Sequence, residues 1–228
     1  MLLNVKNVRK QYQRDKVFVA VDNVSFSLVH QDFACIMGRS GSGKTTLLNM
    51  IAGIITPTQG RVIIDNTDIS VLADKQVSQF RNQTIGYVPQ GNSLLTSLNA
   101  IENICLPYIF YNKGNQNLTD KENLMERAEQ LMQQVGISYL SQLYPKQMSG
   151  GEMRRVAIVR SLICAPKLLL ADEPTNDLDQ ESAEQIMQLL TTINLEGTAI
   201  LMVTHDLDVA NYAKHQYKME AGKLHLLS

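Results

Sequence analysis

The chain has 228 residues, 44% hydrophobic and 19% charged, a composition that suits one globular domain and excludes a disordered or low-complexity chain. Its formal net charge of -1 removes the global basic surface that would make nucleic acid the main partner. No apolar run reaches the ~18 residues of a membrane span, and the N-terminus lacks the basic-then-apolar pattern of a signal peptide, so any membrane role is expected to come through a partner.

In chain order, residues 2–8 and 17–28 read as β-strands joined by turns. Residues 33–37 are a continuous apolar run ending at Gly38, the pattern of a strand buried on both faces. Residues 45–52 read as a helix with Gly53 placed to end it, and 56–60 as a turn before a strand at 61–65. From 118 to 135 apolar residues recur at helical spacing, and 151–164 is a second helix closed by Pro166. Two more buried strands, 168–171 and 199–203, flank an amphipathic helix marked by Ala183, Ile186, Met187, Leu190 and Ile193. Strand, helix, strand with apolar strands predicts an α/β fold: a mainly parallel sheet core, an antiparallel β part at the N-terminus and a helical insertion. The expected division is one domain over 1–228, with 1–90 and 161–228 as the core and about 91–160 as the insertion. Cys35, Cys105 and Cys164 stand apart in apolar surroundings without a CxxC pair, so they read as buried reduced thiols.

Gly38-Arg39-Ser40-Gly41-Ser42-Gly43-Lys44-Thr45 is a complete GxxxxGK[ST] loop between a buried strand and a helix. Glycines let backbone N–H groups turn inward toward phosphate oxygens, and the helix start adds unpaired N–H groups and the positive end of its dipole. Lys44 neutralises the β- and γ-phosphates, and the Thr45 hydroxyl ligates Mg²⁺. Gly38, Ser40, Gly41, Ser42, Gly43 and Thr46 complete the expected cradle. A fortuitous Gly-rich turn is the alternative, and the position between strand and helix argues against it. A second signal is Asp172-Glu173-Pro174 at the end of the 168–171 strand. Asp172 is placed for the metal shell and Glu173 for the attacking water. Two solvated carboxylates at a strand end would be the bland reading, but beside a phosphate loop the functional one is stronger.

Met148-Ser149-Gly150-Gly151-Glu152, ahead of a helix and about twenty residues upstream of the acidic pair, resembles the signature of the ABC ATPases, usually written LSGGQ. Four further features fall in that family's order. Tyr12 resembles its adenine-stacking aromatic and Gln90, after Tyr87-Val88-Pro89, its Q-loop glutamine and a metal contact. Asn176-Asp177-Leu178-Asp179 resembles the D-loop, and His205 the switch histidine. Each alone is bland: a turn aromatic, an ordinary glutamine, a helix entry, a strand-end histidine. Their joint order and spacing carry the resemblance, which covers essentially the whole chain. Met148, Glu152, Asn176 and Asp177 depart from the usual pattern, and Glu152 is expected to add a negative charge near a partner's ATP.

The resemblance implies a phosphate-loop, RecA-like ATPase that works with ATP and Mg²⁺ as a head-to-tail homodimer. Ser149, Gly150, Gly151 and Asp179 would then serve the nucleotide of the opposite subunit, with Lys44, Glu173, His205 and Gln90 catalytic. It further implies the subunit of an ABC transporter that drives a separate membrane permease from the cytoplasmic face of the membrane. Residues 106–111 make the chain look most like exporter-type subunits related to MacB, LolD and FtsE, which act on peptides, antimicrobials or lipoproteins. The alternatives are a soluble ABC ATPase of DNA repair or translation and a nucleotide-sensing module without turnover. Repair types carry a long coiled-coil or zinc insertion and translation types usually two ATPase domains, and intact Glu173 and His205 argue against the silent module.

Overall fold

The structure, a computed structural model, describes residues 1–13, 17–91, 93–111 and 118–227, with backbone alone for 118–121. The chain opens with β1 (Leu3–Gln13), β2 (Val17–Leu28), β3 (Phe33–Met37) and α1 (Lys44–Ile51). It continues through β4 (Gln59–Ile64), β5 (Thr67–Asp68), α2 (Asp74–Thr84) and β6 (Ile85–Val88). Three helices follow, α3 (Ala100–Tyr111), α4 (Leu118–Gln134) and α5 (Gly150–Leu162). Then come β7 (Leu168–Asp172), α6 (Gln180–Leu195), β8 (Ala199–Thr204), α7 (Leu207–Ala210), β9 (His215–Glu220) and β10 (Lys223–Leu226).

Strands β2-β1-β4-β5 form an antiparallel sheet, while β10-β9-β3-β8-β7-β6 form a sheet that is parallel except at the β9–β10 edge. Every residue of β3, β7 and β8 is buried, as a strand covered by helices on both faces requires. The register sets Met37 opposite Thr204 and Asp172 opposite Val203, so the carboxyl ends of β3, β7 and β8 finish side by side. Loops that leave this edge therefore meet, the usual place for a ligand in such a sheet.

Three apolar clusters hold the parts together. The antiparallel sheet and α1 share one with a face of the parallel sheet, and α6 covers the other face. The third, with Ile101, Ile104, Ala128, Met132, Val156 and Val159, lies among α3, α4 and α5. The expected antiparallel part, parallel core and helical insertion are all present.

The details differ from the sequence reading in three places. Strand β1 runs on to Gln13 through register shifts, which carries Tyr12 into the sheet instead of a turn. Helix α2 buries only Val77 and Thr84, too few for an apolar stripe to announce it. Helix α3 forms despite an internal Pro107. Its base is set by fully buried Asn103, whose amide donates to the carbonyls of Leu95, Leu98 and Asn99 at 3.1, 3.0 and 2.9 Å and whose Oδ1 accepts the Leu95 N–H. Those bonds tie the loop 95–99 to the first turn of α3 and satisfy the buried amide itself.

Candidate functional site

The loop from β3 to α1 wraps a cleft of about 240 Å³ lined by Ser40, Gly41, Gly43, Lys44, Thr45, Thr46, Gln90, Glu173, Phe18 and Ala20. Gly43 holds φ at 108°, and a Cβ there would lie 2.2 Å from the Ala20 carbonyl oxygen, so the chain passes β2 only with glycine. A Cβ on Gly38 would meet the Met219 carbonyl oxygen at 2.4 Å. Helix α1 begins without a side-chain cap, and the buried Ser42 hydroxyl has no hydrogen-bond partner among the described residues. Uncapped N–H groups, an orphaned hydroxyl and a close backbone turn fit an anion with several acceptor oxygens. Lys44, only 6% exposed, donates to the carbonyls of Gly38 at 2.6 Å and Arg39 at 3.2 Å, and its Nζ lies 3.7 Å from Glu173 Oε1.

Across the cleft, Thr45 Oγ1 donates to Asp172 Oδ1 at 3.2 Å. Burial raises the Asp172 carboxyl above its ordinary range, while the Thr45 hydrogen bond, Lys44 and Arg154 pull the other way. A hydroxyl beside a buried carboxylate is the oxygen chemistry of a hard divalent cation. Glu173 is in the left-handed region at φ 49°, an expensive conformation for a non-glycine residue and doubly so before Pro174. It is held by Glu173 N–H donating to the Val203 carbonyl at 3.0 Å and by Asn176 N–H donating back to Glu173 at 3.2 Å. This twist turns the Glu173 side chain away from Asp172 and toward His205, whose Nδ1 lies 2.6 Å from Glu173 Oε2. The Glu173 carboxylate thus spans Lys44 on one side and His205 on the other.

Not every residue singled out from sequence joins this cluster. Tyr12 is half-buried in β1 with the Lys10 ammonium 5.4 Å from its ring centre, and it does not line the cleft. Its cross-strand partner, Phe18, does, and directly opposed residues share a sheet face. Phe18, 55% exposed, went unnoticed because only the β1–β2 register reveals it as Tyr12's neighbour. Gly38 and Ser42 line an adjoining cleft that shares Ser40 and Gly41 with this one and is completed by Met219 and Glu220. Ser149, Gly150, Gly151 and Asp179 line none of the Lys44 cleft. Ser149 instead caps α5, and Asp179 caps α6 by accepting the Ser182 N–H at 2.9 Å and hydroxyl at 2.8 Å.

Two arginines of α5 also escaped the sequence reading. Arg154 donates to the Pro89 carbonyl at 2.9 Å, and Arg160 to the Ser93 carbonyl at 2.7 Å. The helix that starts at the signature thereby grips the chain on both sides of Gln90.

Comparison with known proteins agrees with this fold. A family described as "ABC transporter" matches residues 21–176. An uncharacterised ABC transporter ATP-binding protein of Bacillus subtilis (strain 168), YknY, is 40% identical over 224 residues, 98% of this chain and 95% of that protein. A solved dimeric, post-hydrolysis structure of the ATP-binding cassette MJ0796 bound to ADP and Pi is 35% identical, with a TM-score of 0.89, covering 100% of this chain and 99% of that one. The ADP conformation of MJ1267, an ATP-binding cassette of an ABC transporter, is 28% identical with a TM-score of 0.82, over 98% of this chain and 89% of its own. With its matched fold, phosphate loop and acidic strand end, this chain belongs to the ABC transporter family as an ATP-binding cassette, an ATPase.

Proposed function

We propose that this cassette hydrolyses ATP to drive a separate membrane permease of the exporter or mechanotransmission type, one that handles peptides, antimicrobials or lipoproteins. The observation that carries the hydrolytic part of this reading is the junction of Lys44, Glu173 and His205 beside the Thr45–Asp172 pair. Phosphoryl transfer asks mainly for positioning and charge neutralisation, and this junction supplies both. Mg²⁺, held by Thr45, Asp172 and Gln90, would neutralise charge on the phosphates when bound. Lys44 binds the β- and γ-phosphates within the cradle of Gly38, Ser40, Gly41, Ser42, Gly43 and Thr46. Glu173 orients the attacking water and receives its proton, and His205 holds Glu173 and contacts the γ-phosphate. Tyr12, on the same face as Phe18, stacks on the adenine.

Ser149, Gly150, Gly151 and Asp179 act on the nucleotide of a second copy, in a homodimer closed by ATP. Their absence from the wall of the Lys44 cleft supports this assignment, as does the dimeric state of the MJ0796 structure. We divide the chain into a core of 1–90 and 161–228 and a helical subdomain of about 91–160. The subdomain meets the permease at the cytoplasmic face of the membrane, and no nucleic acid is involved. Among the described residues no helix is long and apolar enough to cross a membrane.

For the permease contact, residues 92–111 carry the apolar side chains; Asn92 lies outside the described residues, and Leu94 is core. The end of α3 instead exposes Ile109 at 39%, Phe110 at 59% and Tyr111 at 39%, an apolar patch of the kind a partner helix covers. Phe110→Glu and Ile109→Glu should abolish co-purification with the permease from membranes and spare ATP hydrolysis by the purified cassette. Undiminished co-purification of the double variant would remove this surface from the proposal.

A further inference from the structure

We propose that Tyr139 and Glu152 are positioning residues for Ser149, together forming a latch that fixes how the signature segment offers its hydroxyl to the opposing ATP. The inference rests on the reading that Ser149 caps the nucleotide of the second subunit. In the sequence, Glu152 suggests an added negative charge directed at that ATP. The structure turns the side chain back instead. Its Oε2 accepts the Ser149 N–H at 2.7 Å, while Ser149 Oγ accepts the Glu152 N–H at 3.2 Å. The other carboxylate oxygen, Oε1, accepts the Tyr139 phenol at 2.8 Å. Both oxygens of Glu152 are therefore engaged within the subunit.

The consequence for Ser149 follows from its donor and acceptor inventory. Its N–H donates to Glu152, and its Oγ is tied to the Glu152 N–H and to the carboxylate, which sets the side-chain rotamer and so the position from which the hydroxyl meets an outside acceptor. The Ser149 backbone N–H, first among several groups, holds the Glu152 carboxyl below its ordinary range, so it remains charged near neutrality. That charge sits in the first turn of α5, where the helix dipole favours it. Tyr139 reaches the carboxylate from the short 3₁₀ turn Ser138–Leu140. Its ring is 63% exposed, but its neighbours Ile137 and Leu140 are fully buried in the helical cluster, so the phenol stands on a fixed base.

The test uses Glu173→Gln protein, in which slow turnover preserves the ATP-bound dimer. Light scattering against ATP concentration reads the cap, and ATP binding at protein concentrations too low for dimers reads the phosphate loop. Tyr139→Phe should raise the ATP midpoint for dimerisation about threefold and Glu152→Ala about tenfold, the usual worth of one exposed hydrogen bond and of a capping box. Monomer binding should stay at the parental value in both. Glu152→Gln, whose amide oxygen still accepts the Ser149 N–H, should return to within about twofold of the parent. Parental midpoints for Tyr139→Phe and Glu152→Ala, with Ser149→Arg defective, would overturn the latch alone. Normal dimerisation of Ser149→Arg would overturn the capping reading and the latch with it. A parallel loss of monomer binding or thermal midpoint in Tyr139→Phe would replace positioning by a general role in folding.

Discussion

Helix α1 and helix α5 both start on glycine-rich segments, Gly41-Ser42-Gly43 and Ser149-Gly150-Gly151, yet their first turns are wired oppositely. At α1 the cap position is Gly43 with no side-chain hydrogen bond, and Ser42 Oγ is buried and unpaired among the described residues. At α5 the cap is Ser149, reciprocally bonded to Glu152 and braced by Tyr139. An uncapped helix start, closed in by β2, leaves its donors for an anion held in the same subunit. A capped start ties the Glu152 N–H to its own Ser149 and holds that serine in a fixed rotamer at an exposed surface. Similar composition thus produces a deep phosphate cradle in one region and an outward-facing cap in the other.

The largest effect is expected where the first region meets the acidic strand end. Glu173→Gln should lower steady-state hydrolysis about 10²–10⁴-fold, the usual worth of a positioned general base, and leave ATP affinity intact. Phosphate release near the wild-type rate would separate Glu173 from the chemistry.

The contrast between the two helix starts is sharpened by one substitution at each. Gly43→Ala places a Cβ 2.2 Å from the Ala20 carbonyl oxygen at φ 108°, so it should cost about 2–4 kcal/mol of stability and abolish nucleotide binding. Gly150→Ala meets only Leu178 Cδ2, at 3.5 Å, and should stay within about 0.5 kcal/mol of the parent. Chemical denaturation of the two variants decides the matter, and equal losses would erase the distinction drawn here.

Base recognition involves β1 and β2 rather than either helix. Tyr12→Ala should weaken ATP and GTP alike by about tenfold, in the 1–3 kcal/mol range of base–aromatic stacking, because every base presents a π-face. Unchanged dissociation constants for both nucleotides would leave Tyr12 a sheet residue, and a loss in Phe18→Ala alone would move the stacking role to its partner strand.

The smallest effect is a gain. The folded-state pKa of Asp172 lies above its unfolded value, so the native state holds the proton more tightly than the unfolded chain. Stability contributed by the protonated form is present at low pH and is lost as pH rises through the folded pKa, which leaves a charged, buried carboxylate at neutral pH. Asp172→Asn should therefore stabilise the nucleotide-free protein at pH 7 by about 0.5–2 kcal/mol, a gain that shrinks as pH falls, while Mg²⁺-dependent hydrolysis is lost. Calorimetry across pH that found Asp172→Asn less stable than wild type at pH 7 would reverse this account.

How much was legible depended on whether the signal was local. The phosphate loop, the strand ending in Asp172 and the helices 118–135 and 151–164 declare themselves through spacing within a few residues. Helix α2, with two buried positions, the half-buried strand β9 and the largely exposed strand β10 carry no such periodicity. For Glu152 the sequence shows a charge but not its partner, a tyrosine held by the turn after α4.

The sequence alone determined the α/β class, the phosphate-binding and acidic motifs and membership of the ABC transporter family, since these reside in short segments whose residue types are dictated by their own turn, strand or helix start. Tertiary structure alone decided that Glu173 twists to join Lys44 with His205, that Phe18 faces the cleft beside Tyr12, and that Arg154 and Arg160 grip the chain around Gln90. Those contacts join residues from 6 to 129 positions apart in the sequence. They exist only because sheet register and helix packing bring strand ends and helix faces together, and no pattern along the chain encodes that register by itself.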